Sequence, residues 1–242
     1  MKTHGTKPNP AYVHHADNGL VDKLREVVFG MQDGMVSTLG AVTGVAVGSG
    51  DPFVILLAGV AIISVESISM GIGSYVSSRS QRKLMERMLA EEREEIKTFP
   101  KEEHDELIAL LREDGWSEGL AREMAKEASG NRRLMLREMA YRELQISPDL
   151  LKHPVQNGIF MFVAYIVGGA IPLSAYFFLP AGTAIVVSVC ITLAGLFVLG
   201  TIVSRYTKET WYKTGGHMFF FGSIALLVGY LVGALSHYAT FL

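Results

Sequence analysis

Val27-Val-Phe-Gly-Met-Gln-Asp-Gly-Met-Val-Ser-Thr-Leu-Gly-Ala-Val-Thr-Gly-Val-Ala-Val47 decides how this chain is read, because Asp33 stands inside an otherwise strongly apolar run. A carboxylate held in a bilayer is expensive unless it faces a polar cavity, a partner or a cation, so an acid in such a place is a functional-site candidate. The next apolar run, Phe53 to Tyr75, carries its own acid, Glu66, four residues before Met70. At that spacing the two side chains share one face of a helix.

Working outward, 49% hydrophobic residues and a mean hydropathy of +0.28 are high for a soluble domain, while 19% charged residues is high for a bare membrane bundle. Both hold only if a polar unit is inserted between apolar blocks. Five stretches have about the 20 apolar residues needed to cross a hydrocarbon core: 27–48, 53–75, 155–178, 181–203 and 217–241. The expected fold is therefore an all-α membrane protein of five transmembrane helices with a helical domain between spans two and three. Its parts are an N-terminal segment 1–26, spans one and two in 27–76, the polar insert 77–153, and spans three to five in 154–242. The first stretch has no signal-peptide character, since Gln32 and Asp33 interrupt it.

Charge placement orients the spans. Of the 22 Lys and Arg, four precede span one, fifteen lie between spans two and three, and Arg205, Lys208 and Lys213 lie between spans four and five. The loops 48–52 and 179–183 and the tail 236–242 carry none. The positive-inside rule then puts the N-terminus and the insert in the cytoplasm and the C-terminus outside. The net charge of −2 averages over this segregation and gives no reason to expect nucleic-acid binding. The single Cys190 excludes an internal disulfide and reads as a buried packing thiol.

Gly40, Gly44 and Gly48 repeat every fourth residue and allow a close helix approach, within a bundle or between copies; Gly59, Gly71, Gly73 and Gly168-Gly169 read alike. Pro172 suggests a kink in span three and Pro180 a turn after it. Tyr206, Trp211 and Tyr212 read as an interfacial aromatic belt, and His217 and His237 bracket span five near the interfaces.

The insert has fifteen basic and seventeen acidic residues and a helical pattern throughout. One helix continues from span two to Ile96 and stops at Phe99-Pro100. A second runs from Lys101 to Arg112, with Asp114-Gly115 as its stop. A third covers Ser117 to Ala128 with Ser117 as cap, and a fourth Asn131 to Gln145, ending before Pro148. Glu92 and Glu95, Glu103 and Glu106, and Met139 and Glu143 each project from one face of their helix. Carboxylates facing one another across three helices repel unless a cation fills the space, and oxygen ligands with a thioether suit a divalent first-row metal. The plain alternative is a set of solvated Glu-rich faces braced by neighbouring cations. His104 faces away from Glu103 and Glu106, His14-His15 read as tail, and Met85, Met88, Met124 and Met135 as helix packing.

Gly30-Met-Gln-Asp-Gly34, Ser69-Met-Gly-Ile-Gly-Ser-Tyr-Val-Ser77 with Arg79-Ser-Gln81, and Gly168-Gly-Ala-Ile-Pro172 resemble the vacuolar iron transporter family, in matching order over nearly the whole chain from Lys23. The resemblance implies no enzyme and no cofactor. It implies a homodimer of five-span protomers in a lipid bilayer that exports Fe2+ and related ions such as Mn2+, Co2+ and Zn2+ from the cytoplasm by proton antiport. The membrane would be a prokaryotic cell membrane, or a vacuolar membrane if the source is eukaryotic. The family's pore Asp falls on Asp33 and its span-two Met on Met70; its cytoplasmic metal ligands fall on Glu92, Glu95, Glu103, Glu106, Met139 and Glu143.

Two departures stand out. Plant members carry a pore Glu where Ile62 stands, whereas this chain offers Glu66, and many relatives carry Glu where Ser74 stands. Glu66 is one turn from Met70 and Ile62 two turns, on similar faces, so Glu66 can replace the missing carboxylate at another depth. It can equally be a proton site or a hydrogen-bonding group. Other classes are a membrane-anchored di-iron oxidase, which needs Glu-x-x-His pairs that this sequence lacks, and a membrane-anchored metal-binding or adaptor protein without transport.

Overall fold

A computed structural model describes residues 18–146 and 153–239, which form eight α-helices: α1 Asn18–Ser49, α2 Pro52–Thr98, α3 Pro100–Glu113, α4 Glu118–Ser129, α5 Arg132–Arg142, α6 Pro154–Phe178, α7 Ala181–Thr207 and α8 Trp211–Ala239. No strand occurs among the described residues. Helices α2, α6, α7 and α8 are long and apolar enough to cross a membrane. Helix α1 falls short of that measure, because Gln32, Asp33 and its Ser and Thr residues dilute the apolar run. Its packing is nonetheless central: α1 lies along α6, α8 and α2.

Small residues let these helices close. A Cβ at Gly44 would stand 2.9 Å from the Gly229 carbonyl oxygen, and one at Gly40 3.1 Å from that of Ala225. The every-fourth-residue stripe of α1 therefore serves the α1–α8 seam inside one chain. On the α6 side, a Cβ at Gly34 would run into the Tyr165 carbonyl, and one at Gly168 into the Met31 carbonyl. Gly73 departs from expectation and meets only open space. Helix α6 is unbroken at Pro172, whose carbonyl accepts a 2.7 Å bond from Ser188 Oγ. Cys190 is exposed on α7 rather than buried, since it lies on an outward groove with Val189, Phe197 and Phe219.

Helix α2 sets the layout. Asp51 caps it, accepting a 2.8 Å bond from Phe53 N, with Pro52 in the first turn, and the helix runs 47 residues to Thr98 before Pro100 ends it. Its outer half is braced on the surface by Arg82–Glu86, Arg87–Glu91 and Lys97–Glu94 ion pairs. At its end Ile96 joins Leu107, Ile108 and Leu111 of α3, Ala121, Ala125 and Ala128 of α4, and Met135 and Met139 of α5 in a separate apolar core. Gly115 makes the α3–α4 turn with φ +97°. Ser117 stands at the start of α4 but its side chain makes no capping bond, whereas Asn131 Oδ1 accepts from the backbone of Arg133 and Leu134 to start α5. Helix α5 ends at Arg142, short of Gln145, which adopts φ +53°. Pro148, His14 and His15 lie outside the described residues.

Candidate functional site

The acids of the polar helices sort by partner. Glu86, Glu91 and Glu94 face outward into ion pairs, while Glu92, Glu95, Glu103, Glu106 and Glu143 take part in none among the described residues. Other acids there are also unpaired; what sets these five apart is that their charges act on one another. Glu92 on α2 is 2% exposed and Glu103 on α3 is 7% exposed. Burial, with Glu143 and Glu103 alongside, pushes the Glu92 carboxyl up to about 9. Glu103 is raised chiefly by burial, against a lowering from its contact with Glu92, and by Glu106, Glu143 and Glu95. Glu106 is raised by burial and then by Glu143 and Glu95.

Oε1 of Glu92 and Oε2 of Glu103 are buried without a hydrogen-bond partner. Orphaned carboxylate oxygens on neighbouring helices fit a hard cation, which satisfies lone pairs that no donor reaches. Glu95, Glu106 and Glu143 sit exposed at the rim, and among the described residues no three His, Cys, Asp or Glu side chains are already drawn into a metal-holding group. Met139 is wholly buried in the apolar core, one turn before Glu143. His104 turns away and its Nδ1 pairs with Ser129 Oγ at 2.8 Å.

In the long-helix bundle, Asp33 is half-buried on α1, Met70 half-buried on α2, and Glu66 exposed one turn before Met70. Glu66 is near enough for its charge to act on Asp33. Ile62, at the departure from the plant pattern, is half-buried. Sequence reasoning missed a further acid here. Glu26 is 1% exposed, its Oε1 pairs with Arg25 at 2.8 Å, and its Oε2 accepts a 2.7 Å bond from Ser74 Oγ. So a carboxylate from α1 is bonded to Ser74 on α2. The available signal was its position seven residues before Asp33, two turns along the same face. Also missed was Tyr165, fully buried on α6, whose hydroxyl lies 2.6 Å from Ser37 Oγ.

Trp211 meets Phe197 and Tyr212 edge-on with ring centroids 6.0 and 5.8 Å apart, and both Trp211 and Tyr212 are more than half exposed. His217 is exposed, and the His237 side chain lies outside the described residues.

Known proteins resemble this arrangement along nearly its full length. The pattern of the VIT family matches residues 24–234. The chain is 31% identical over 187 residues to vacuolar iron transporter 1 of Tulipa gesneriana, covering 77% of this chain and 76% of that protein. It is 28% identical over 215 residues to vacuolar iron transporter 1 of Arabidopsis thaliana, covering 88% and 86%. It is 29% identical over 233 residues to the vacuolar iron transporter of Plasmodium falciparum, covering 91% and 85%. A family match that takes in both the long-helix bundle and the acidic helices, together with relatives that align over most of their own length, means that this chain belongs to the VIT family.

Proposed function

We propose that the protein exports Fe2+, and related ions such as Mn2+, Co2+ and Zn2+, from the cytoplasm by proton antiport, as a homodimer of five-span protomers with α1 as the first span. The N-terminus and residues 77–153 are cytoplasmic and the C-terminus lies outside. The observation that carries this reading is that one continuous helix bears both acidic clusters: α2 carries Glu66 and Met70 along its apolar half and Glu92 and Glu95 near the other insert carboxylates. The rise of an α-helix separates Glu66 from Glu92 by about 39 Å.

The two clusters divide the work. Glu92, Glu95, Glu103, Glu106 and Glu143, with the Met139 thioether beside them, gather ions at the end of the α2 stalk. A carboxyl held near 9 keeps its proton at neutral pH and releases it when a cation takes its place, so loading exchanges protons for metal. Ions then pass Asp33, Glu66 and Met70, shedding part of their hydration. Carboxylate oxygens replace water at a cation, and a thioether favours Fe2+ over Mg2+ or Ca2+. Glu66, exposed on the apolar outer face of α2, gains a polar surround once a second copy covers it, which supports a path between two protomers.

The test is flux in proteoliposomes across Fe2+, Mn2+, Co2+ and Zn2+ with a proton-sensitive dye. Metal movement coupled to opposite proton movement is expected. A protein that binds metal in detergent yet moves none across the bilayer would be a metal-binding or adaptor protein instead.

A further inference from the structure

Tyr165 is the bulkiest fully buried side chain among the described residues. A buried phenol needs a partner for its hydroxyl, and here that partner is Ser37 Oγ, 2.6 Å away on α1. Ser37 Oγ in turn donates to the Asp33 carbonyl at 2.7 Å. A serine has one hydroxyl hydrogen, and with it committed to Asp33 the Tyr165 hydroxyl must donate to Ser37. Two directed bonds thus run from α6 to the backbone of the turn that carries Asp33. The same turn is pressed against α6 by the bare Gly34, over the Tyr165 carbonyl, and by Gly168, over the Met31 carbonyl. The charges of Glu66 and Asp33 both act on the Tyr165 hydroxyl.

We propose that Tyr165, acting through Ser37, is a positioning residue that holds the Asp33 turn at the rotation and depth where its carboxylate meets a passing divalent cation; this rests on the transport reading above. A serine bonded to the carbonyl four residues back is common in apolar helices and of itself only satisfies its hydroxyl. Here the carbonyl belongs to the intramembrane acid, and a phenol from another helix fixes the serine. A cation site requires its ligands held within about 0.5 Å of the productive geometry, which a lone helix turn facing a path does not supply.

The test uses the full chain in proteoliposomes, with initial Fe2+ uptake followed against concentration for Tyr165→Phe, Ser37→Ala and the double variant. Tyr165→Phe keeps the ring and removes one hydrogen bond. The half-saturating Fe2+ concentration is expected to rise about 3- to 10-fold in each single variant, with less change in maximal rate, and no further in the double variant. Ser188→Ala, which deletes a buried hydroxyl bonded to Pro172, serves as control and should lower thermal stability without moving half-saturation. Wild-type half-saturation in Tyr165→Phe and Ser37→Ala, or additive effects in the double variant, would overturn the proposal and leave only packing. Should Tyr165→Phe fail to fold, Ser37→Ala decides alone. Absence of Fe2+ uptake by the wild-type protein would sink the transport reading itself, an outcome separate from any difference among variants.

Discussion

The two acidic clusters of this chain are built in opposite ways. In the polar helices, Glu92 and Glu103 are sunk into a small helical core, with buried oxygens that have no donor and neighbours of like charge. In the long-helix bundle, Glu66 stands exposed on the outside of α2 and Asp33 only half under cover. The first cluster lies within one chain, and burial first and like charge second oppose its ionisation. On the proposed reading the second needs more than one chain, because an acid on a lipid-facing surface is relieved only by a partner surface or a wet path. On the proposed reading, one protomer suffices to gather ions, whereas passing them requires a second surface beside Glu66.

That contrast breaks most sharply at Glu66. Glu66→Gln removes the charge and keeps the size, and transport should fall close to background. Restoring a carboxylate one turn away with Ile62→Glu in the same variant should recover part of the flux. Full flux in Glu66→Gln alone would show that the bundle works through Asp33 and Met70 without a second acid. The insert offers the next largest effect. With Asp33→Asn in the background, the joint change Glu103→Ala and Glu106→Ala should remove most of the Fe2+ or Co2+ bound by the full-length protein in calorimetry. Unchanged stoichiometry would return the Glu-rich faces to the solvated reading.

The smallest effect expected is on stability. Glu92 carries a folded-state value of about 9 against 4.5 for the free carboxyl. The folded state therefore holds that proton more tightly than the unfolded one. The stabilisation is fully present below about pH 4.5 and is lost as pH rises through about 9. Thermal melts without metal should thus show the polar helices weakening between those values, and Glu92→Gln should flatten the curve. Added Co2+ should oppose the alkaline loss, because metal replaces the proton. A wild-type melt indifferent to pH over that range would contradict the burial of Glu92.

How much was legible follows from what each feature depends on. The helix order and the α2 stalk follow from local signals, such as Asp51-Pro52 at its start and Phe99-Pro100 at its end. The paired acids at i, i+3 show in the sequence because helical spacing fixes which residues share a face. Which acids are buried does not, since Glu92 and Glu94 differ by two positions and only tertiary packing turns one inward and gives the other to Lys97. The bonds of Glu26 and Tyr165 were not legible for the same reason, since their partners, Ser74 and Ser37, lie 48 and 128 residues away. Cys190 ran the other way, because an apolar neighbourhood in a membrane helix does not imply a buried one when the solvent is lipid.

On the proposed function, the bundle acids pass ions and the insert acids collect them. The most direct measurement is Fe2+ uptake into proteoliposomes over a wide concentration range, with Asp33→Asn beside the Glu103→Ala/Glu106→Ala variant and the wild type. Asp33→Asn should show no uptake at any concentration, and the insert variant a near-normal maximal rate reached only at higher Fe2+. Saturable uptake by Asp33→Asn, or a maximal rate abolished in the insert variant at every Fe2+ concentration, would contradict that division of roles.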